Sequence, residues 1–363
     1  MKVLVLAEEY SSNGKISQGF IHTRNLEYIK NDIKVDVISF KSNIEIYEYE
    51  GIPVYSSQGF LKNKNIQEYD VVISHAPNIK HHCRFINNNC KKINKLIFFF
   101  HGHEILYSKD IYPQPYPYMK KSNFFKESIR NIYDIFKIKY MKKFLFKVMP
   151  KSLYIFVSDW MYSEFNKNIG INLPRQKYEI IYNAIGETFL NNNYDKKNSK
   201  KYDFITIRNM LDGSKYCIDV VNNLAKNNPN YKFLIIGKGD YFKYNKKSEN
   251  VEYIDKNLTH LEIIKYLNSA KYALMPTRAD AQGVMMCEMA AYGIPLITSD
   301  IPVCHMVLGN IKKVFLINND DTSVDLVNDL SEIATNGISA KEQFSKENTI
   351  EREINVIYRY YKK

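Results

Sequence analysis

Two acids eight positions apart, Asp280 and Glu288, bracket a short turn in the run PTRADAQGVMMCEMAAYGIP, Pro276 to Pro295. The apolar residues Tyr272 to Met275 read as a buried strand ended by Pro276 and Thr277, and Gly283 precedes Val284 to Tyr292, a segment of helix-forming residues. The unit is therefore strand, loop, helix start. N–H groups in the first turn of a helix have no internal partners and lie at its positive dipole end, so Gln282, Gly283, Val284 and Met285 are placed to cradle an anion or a polar ring. Gly283, without a Cβ, lets the backbone come close to a ligand. Glu288, one turn along, can accept hydrogen bonds from a vicinal diol such as a ribose, and Asp280 can face a sugar. Taken singly, Glu288 reads equally as a solvated helix residue and Asp280 as an ordinary loop acid. Met285, Met286, Cys287, Met289, Ala290 and Ala291 make the helix apolar nearly all round, as in a helix buried between layers, and that setting favours a functional acid.

The elements that must hold such a turn repeat in two halves. Val3 to Leu6, Val35 to Ile38, Val71 to Ile73, Leu96 to Phe100 and Tyr154 to Val157 are short apolar runs separated by helix-compatible segments, the pattern of a doubly wound parallel sheet. Phe204 to Ile207, Phe233 to Ile236, Val251 to Ile254, Tyr272 to Met275 and Pro295 to Thr298 repeat it. The polar stretch Asn191 to Lys201 reads as the linker. The expected organisation is two Rossmann-like α/β domains, 1–190 and 191–344, and a closing helix, 345–363, with Ile350, Ile354, Ile357 and Tyr361 on one face.

Composition suits this plan: 363 residues and 45% hydrophobic content support two domains with cores. Five scattered cysteines with no Cys-x-x-Cys pair argue against a disulfide framework or a zinc ribbon and for reduced thiols in a cytoplasmic protein. MKVLVLAEEY has no signal-peptide core, and no run is long enough to span a bilayer. Met119 to Lys151 holds ten Lys and Arg against two acids, so most of the net charge of +12 is concentrated there. Phe125, Ile129, Ile132, Phe136 and Tyr140 fall on one helical stripe, which reads either as a basic amphipathic helix on an anionic membrane surface or as a helix pair packed on the sheet with solvated lysines. No nucleic-acid motif accompanies the charge.

Further residues stand where strands end. Arg208 follows Phe204 to Ile207 and Lys215 opens the next helical segment; IIGKGD, Ile235 to Asp240, closes another strand on G-x-G. Leu96 to Phe100 runs directly into HGHE, His101 to Glu104, and Gly19 lies in SQGFIHTRN. With DAQGVMMCE followed by MAAYGIP, these residues resemble the retaining glycosyltransferases of family 4 (glycosyl transferases group 1), of the bacterial surface-polysaccharide type. That family carries E-x7-E with a glycine in the turn and a following EAMA-x-G-x-P. Asp280 departs from the family's usual Glu by one methylene.

The resemblance implies a GT-B fold, two doubly wound domains facing a central cleft, with the closing helix crossing back to the first domain. It implies transfer of a hexose or N-acetylhexosamine from a nucleotide diphosphate with retention of configuration and no tightly bound metal. In that scheme Arg208 and Lys215 hold the donor diphosphate, Glu288 the ribose and Asp280 the sugar. His101 meets the sugar from across the cleft, His103 and Gly19 belong to the acceptor and phosphate loops, and Asn183, in IIYNAIG, sits at the interdomain turn, where Gly186 replaces an Asp. The expected co-substrate is a UDP-sugar first and GDP-mannose second. The expected acceptor is a lipid-linked saccharide at the inner face of the plasma membrane, with peripheral membrane contact through 119–151. A sugar-nucleotide epimerase of the same architecture and a non-catalytic glycan-assembly subunit are the alternatives.

Overall fold

A computed structural model describes residues 1–13, 17–119, 124–321 and 337–363, with the side chains of 124–127 left out. The chain forms two compact units: Met1–Ser108 with Ile129–Asn183 and Lys346–Lys363, and Lys109–Ser128 with Ala184–Ser345. Relative to the expected domains, the change of unit falls after Asn183 rather than at 191, and Lys109–Ser128 groups with the second unit; the closing helix, expected to return to the first domain, groups with the first unit. The expected linker packs within the second unit, where Tyr194 donates through its hydroxyl to the Ala270 carbonyl at 2.7 Å.

Among the described residues the first unit has an eight-stranded sheet. Its strands are β1 (Lys2–Ala7), β2 (Lys34–Ser39), β3 (Ile46–Tyr49), β4 (Ile52–Tyr55), β5 (Val71–His75), β6 (Leu96–Phe100), β7 (Ser152–Phe156) and β8 (Tyr178–Ile180), in the order β3-β4-β2-β1-β5-β6-β7-β8. All pairs are parallel except β3 with β4. Strands β1, β5, β6 and β7 are covered on both faces, which is why they read as continuous apolar runs. Sequence reasoning missed β3, β4 and β8. Strand β3, IYEY, alternates exposed and half-buried residues on the sheet's edge, and β8 has three residues.

The second unit has a six-stranded parallel sheet among its described residues, ordered β11-β10-β9-β12-β13-β14. Its strands are β9 (Tyr202–Met210), β10 (Phe233–Lys238), β11 (Val251–Ile254), β12 (Ala270–Leu274), β13 (Leu296–Ser299) and the unforeseen β14 (Val314–Ile317). In a doubly wound sheet the winding reverses at one place, and loops at the carboxyl ends of the two central strands diverge there to leave a crevice. That place lies between β1 and β5 in the first sheet and between β9 and β12 in the second.

The basic segment is one helix, Phe124–Val148, and 120–123 lie outside the described residues. Its packed side is Ile138, Met141, Phe144, Leu145 and Val148, whereas Ile129, Ile132 and Phe136 of the anticipated stripe are 65%, 68% and 57% exposed. Among its described residues the segment is thus one long helix rather than a helix pair, with these three side chains of the stripe turned to solvent and Tyr140 half-buried; the side chain of Phe125 lies outside the described residues. Among the described residues no helix is long and apolar enough to cross a membrane.

Candidate functional site

The second unit brings most of the anticipated donor residues to the β9/β12 reversal. Arg208, near the end of β9, is buried, and its Nη2 donates to the Pro276 carbonyl after β12 at 2.7 Å. Its Nε is buried without a partner among the described residues. Lys215 lies in the short helix Ser214–Tyr216, and its carbonyl accepts from Arg278 N at 2.9 Å and Thr277 Oγ1 at 3.1 Å. The loops after β9 and β12 are thereby tied together. The Arg208 guanidinium lies 5.3 Å and the Lys215 ammonium 4.8 Å from the centroid of the Tyr216 ring. One aromatic ring therefore gathers both cations, since a ring attracts positive charge through its quadrupole.

Arg278 fastens the same loops from the other side. Its guanidinium makes a two-pronged pair with Asp219, at 2.9 and 2.7 Å, and also donates to the Ser214 carbonyl. Burial pushes the Asp219 carboxyl up, but hydrogen bonds from Arg278 and Tyr116 outweigh it and hold the group below its ordinary range. Tyr116 belongs to the chain portion, Lys109–Ser128, that the first half lends to this unit.

The acid pair is assembled differently from expectation. Asp280 Oδ1 accepts from the N–H groups of Ala281, Gln282 and Gly283 at 2.8, 3.2 and 2.8 Å. The short Asp side chain turns back onto its own loop, so the N–H groups of Gln282 and Gly283 are already taken. The Gln282 side chain also turns inward, towards Cys287. Met286 and Cys287 donate to the Gly283 carbonyl, which leaves Val284 and Met285 as the first-turn N–H groups without an intrahelical acceptor. Gly283 has φ +78°, a left-handed backbone that a residue with a side chain adopts only with strain, so the local backbone favours the glycine. Asp280 Oδ2 makes no hydrogen bond among the described residues, and the charge of Asp280 supports buried Arg208 in its charged form against the downward pull of burial.

Glu288 lies one turn into Val284–Tyr292 and is 4% exposed. Its Oε1 accepts the Gly186 N–H at 3.0 Å and lies 3.9 Å from His260 Nε2. Burial raises this carboxyl to about 7, partly offset by the Gly186 bond. A Cβ on Gly186 would come within 2.7 Å of the His260 ring and 3.2 Å of Glu288 Oε1. The sequence placed Gly186 only as a hinge residue; here it is the donor that orients Glu288. His260, Tyr216 and Arg278 were missed, and only Arg278, two residues before Asp280, stood near the motif.

In the first unit, His101 follows β6 and its backbone N–H donates to the Glu104 carboxylate, which is 2% exposed. Buried Lys137, from the long basic helix, donates to the carbonyls of His103 and Leu106 at 2.8 Å each and to Asp134 at 2.7 Å, and so clamps the HGHE loop. His103 itself points outward, its side chain 68% exposed. His101 Nε2 meets His75 Nδ1, at the end of β5, at 3.2 Å, and Phe20 packs on the His101 ring at 4.6 Å. Gly19 opens the helix Gly19–Lys30, which carries buried Arg24. Arg24 donates to Glu353 on the closing helix at 3.1 Å and to Asn183 Oδ1 at 2.8 Å. His75 and Arg24 were also missed, although His75 ends an apolar run as His101 does. Among the described residues no three His, Cys, Asp or Glu side chains are grouped as a metal site.

The two doubly wound units define a GT-B protein. The chain is similar over 99% of its length to sucrose-phosphate synthase from Thermosynechococcus elongatus (98% of that chain, TM-score 0.67, 10% identity). It is similar over the same share to Anabaena Alr3699/HepE in complex with UDP and glucose (98% of that chain, TM-score 0.64, 13% identity). Residues 202–336, within the second unit, match the family model of the glycosyl transferases group 1. An alignment 169 residues long that covers 43% of the chain is 30% identical to the O-antigen biosynthesis glycosyltransferase WclY of Escherichia coli. The match spans 46%, about half, of that relative's length.

Proposed function

We propose that this protein is a retaining glycosyltransferase of family 4 that moves a hexose or N-acetylhexosamine from a nucleotide diphosphate to a lipid-linked saccharide in bacterial surface-polysaccharide synthesis. The observation that carries the reading is the grouping, at one sheet reversal, of Arg208 and Lys215 on Tyr216 with Asp280 and Glu288. Two cations held by the fold suit a diphosphate and the charge that develops as the sugar–oxygen bond breaks. The N–H groups of Val284 and Met285 suit a further oxygen, Glu288 Oε2 a ribose diol, and Asp280 Oδ2 the transferred sugar. His101 of the first unit serves the sugar, with the acceptor bound on that unit near Gly19 and His103. UDP-sugars are the first choice of donor and GDP-mannose the second, a choice supported by the UDP and glucose bound to HepE. No metal has a role in the scheme, and the leaving phosphate takes the acceptor proton.

The protein works at the inner face of the plasma membrane in this reading. On the helix Phe124–Val148, exposed Ile129, Ile132, Tyr133 and Phe136 share a face with exposed Lys143 and Lys147, apolar contact beside positive charge.

The test is thermal stabilisation by UDP-, GDP-, CMP- and TDP-sugars, followed by transfer to a lipid-linked acceptor. A shift with one nucleotide that Arg208→Ala and Lys215→Ala abolish supports the donor site. Turnover of the nucleotide sugar without any acceptor would favour an epimerase, and nucleotide binding without turnover a non-catalytic subunit.

A further inference from the structure

Two histidine rings meet at the carboxyl ends of adjacent strands β5 and β6, and the sequence motif covers only one of them. His75 is fully buried, stacks on Phe99 at 4.4 Å, and shares its Nδ1 with His101 Nε2 at 3.2 Å. Its other nitrogen, Nε2, is buried and has no partner among the described residues. Burial holds both rings well below their ordinary titration range. His101, Arg24 and His82 add to the effect on His75, and Arg24 and His103 to that on His101. At neutral pH both rings are therefore uncharged, and a single proton lies in the bond between them.

Two arrangements of that proton exist. If His101 donated from Nε2, the accepting His75 would carry its own proton on Nε2, a buried N–H with nothing to donate to. If His75 donates from Nδ1, its Nε2 is a bare acceptor and no N–H is stranded. Leaving a buried donor unsatisfied forfeits its full hydration, whereas the second arrangement keeps every N–H of His75 paired. We propose that His75 donates its Nδ1 proton to His101 Nε2 and is a positioning residue that fixes His101 as the Nδ1–H tautomer. The open nitrogen of His101 then offers a hydrogen-bond donor to a sugar hydroxyl and does not act as a base. The consequence for transfer rests on the reading of His101 as a substrate-contacting group; the tautomer itself does not.

The experiment is nitrogen NMR of the full chain labelled with 15N-histidine near pH 7.5, with His101 assigned by comparison with His101→Gln. A protonated Nδ1 and an unprotonated Nε2 on His101 are expected, and the reverse pattern overturns the inference. His75→Leu should convert His101 to a mixture of tautomers and lower kcat for sugar transfer about tenfold, the loss of one oriented hydrogen bond, with little change in the donor KM. His75→Asn, whose amide can donate from nearly the same place, should restore both the tautomer and most of the rate. His75→Leu with an unchanged His101 spectrum also overturns it. If His101→Gln transfers sugar at the wild-type rate, the reading of His101 as a substrate contact fails while the spectrum still decides the tautomer.

Discussion

Replacing Glu288 by Gln should stabilise the protein while damaging its function, with a pH signature. In the folded chain the carboxyl titrates near 7 because burial disfavours its charge, against an ordinary value of 4.5. Below pH 4.5 the folded and unfolded chains both hold the proton and nothing is lost. Between 4.5 and 7 the unfolded chain releases it and the folded chain does not, so stability falls as pH rises, by up to about 3 kcal/mol above pH 7. A glutamine is uncharged throughout and keeps an oxygen to accept the Gly186 N–H. Glu288→Gln should therefore match the wild type near pH 4.5 and exceed it at pH 8 by up to about 3 kcal/mol, several degrees in the unfolding midpoint of a unit this size. In the proposed role the same carboxylate, once ionised, accepts both hydroxyls of a ribose, so nucleotide binding by the wild type should strengthen as pH rises through 7. The variant should bind ~10-fold or more weakly at pH 8 without that pH dependence, in line with a hydrogen bond to a charged group. Thermal unfolding of both proteins from pH 4.5 to 8, with and without the UDP-sugar, reads both effects. An equal midpoint gap at every pH, or a variant less stable at pH 8, would overturn this account of Glu288.

Gly186→Ala pushes a methyl into the His260 ring and towards Glu288 Oε1, and should cost about 1–3 kcal/mol in urea denaturation as well as donor affinity. His260→Ala in the same chain should recover much of both. Tyr216→Ala removes the ring that gathers Arg208 and Lys215 and should weaken nucleotide diphosphate binding about 5-fold in calorimetry, whereas Tyr216→Phe keeps the ring and should bind as the wild type does. Ile132→Ser with Phe136→Ser, both exposed, should leave the free energy of unfolding within about 1 kcal/mol of the wild type and reduce sedimentation with vesicles containing anionic lipid. Undiminished sedimentation would remove that helix face from the membrane reading.

Strand positions were legible because strands covered on both faces must be apolar throughout, and β1, β5, β6, β9 and β10 all show such runs. The Asp280–Glu288 turn was legible because a left-handed glycine, a helix start and two acids are all local features; the helix spans Val284–Tyr292 as its composition predicts. The edge strand β3 was not, since a half-solvated strand carries little apolar signal. The boundary near Asn183 was not either, because a polar stretch such as Asn191 to Lys201 looks the same whether it joins units or packs inside one.

Chain order and strand composition are enough to dictate which side chains end the strands: Arg208, His101 and the acids of the turn. Which atoms of those side chains remain open is a matter of packing. Asp280 spends one oxygen on its own loop, Gly186 and His260 arrive beside Glu288 from distant segments, and Tyr216 draws two cations to one ring. His75 reaches His101 because β5 and β6 are neighbours in the sheet. Such pairings depend on the order and register of strands far apart in the chain, and burial, which shifts Glu288 and both histidines, is a property of the packed unit and not of any one segment.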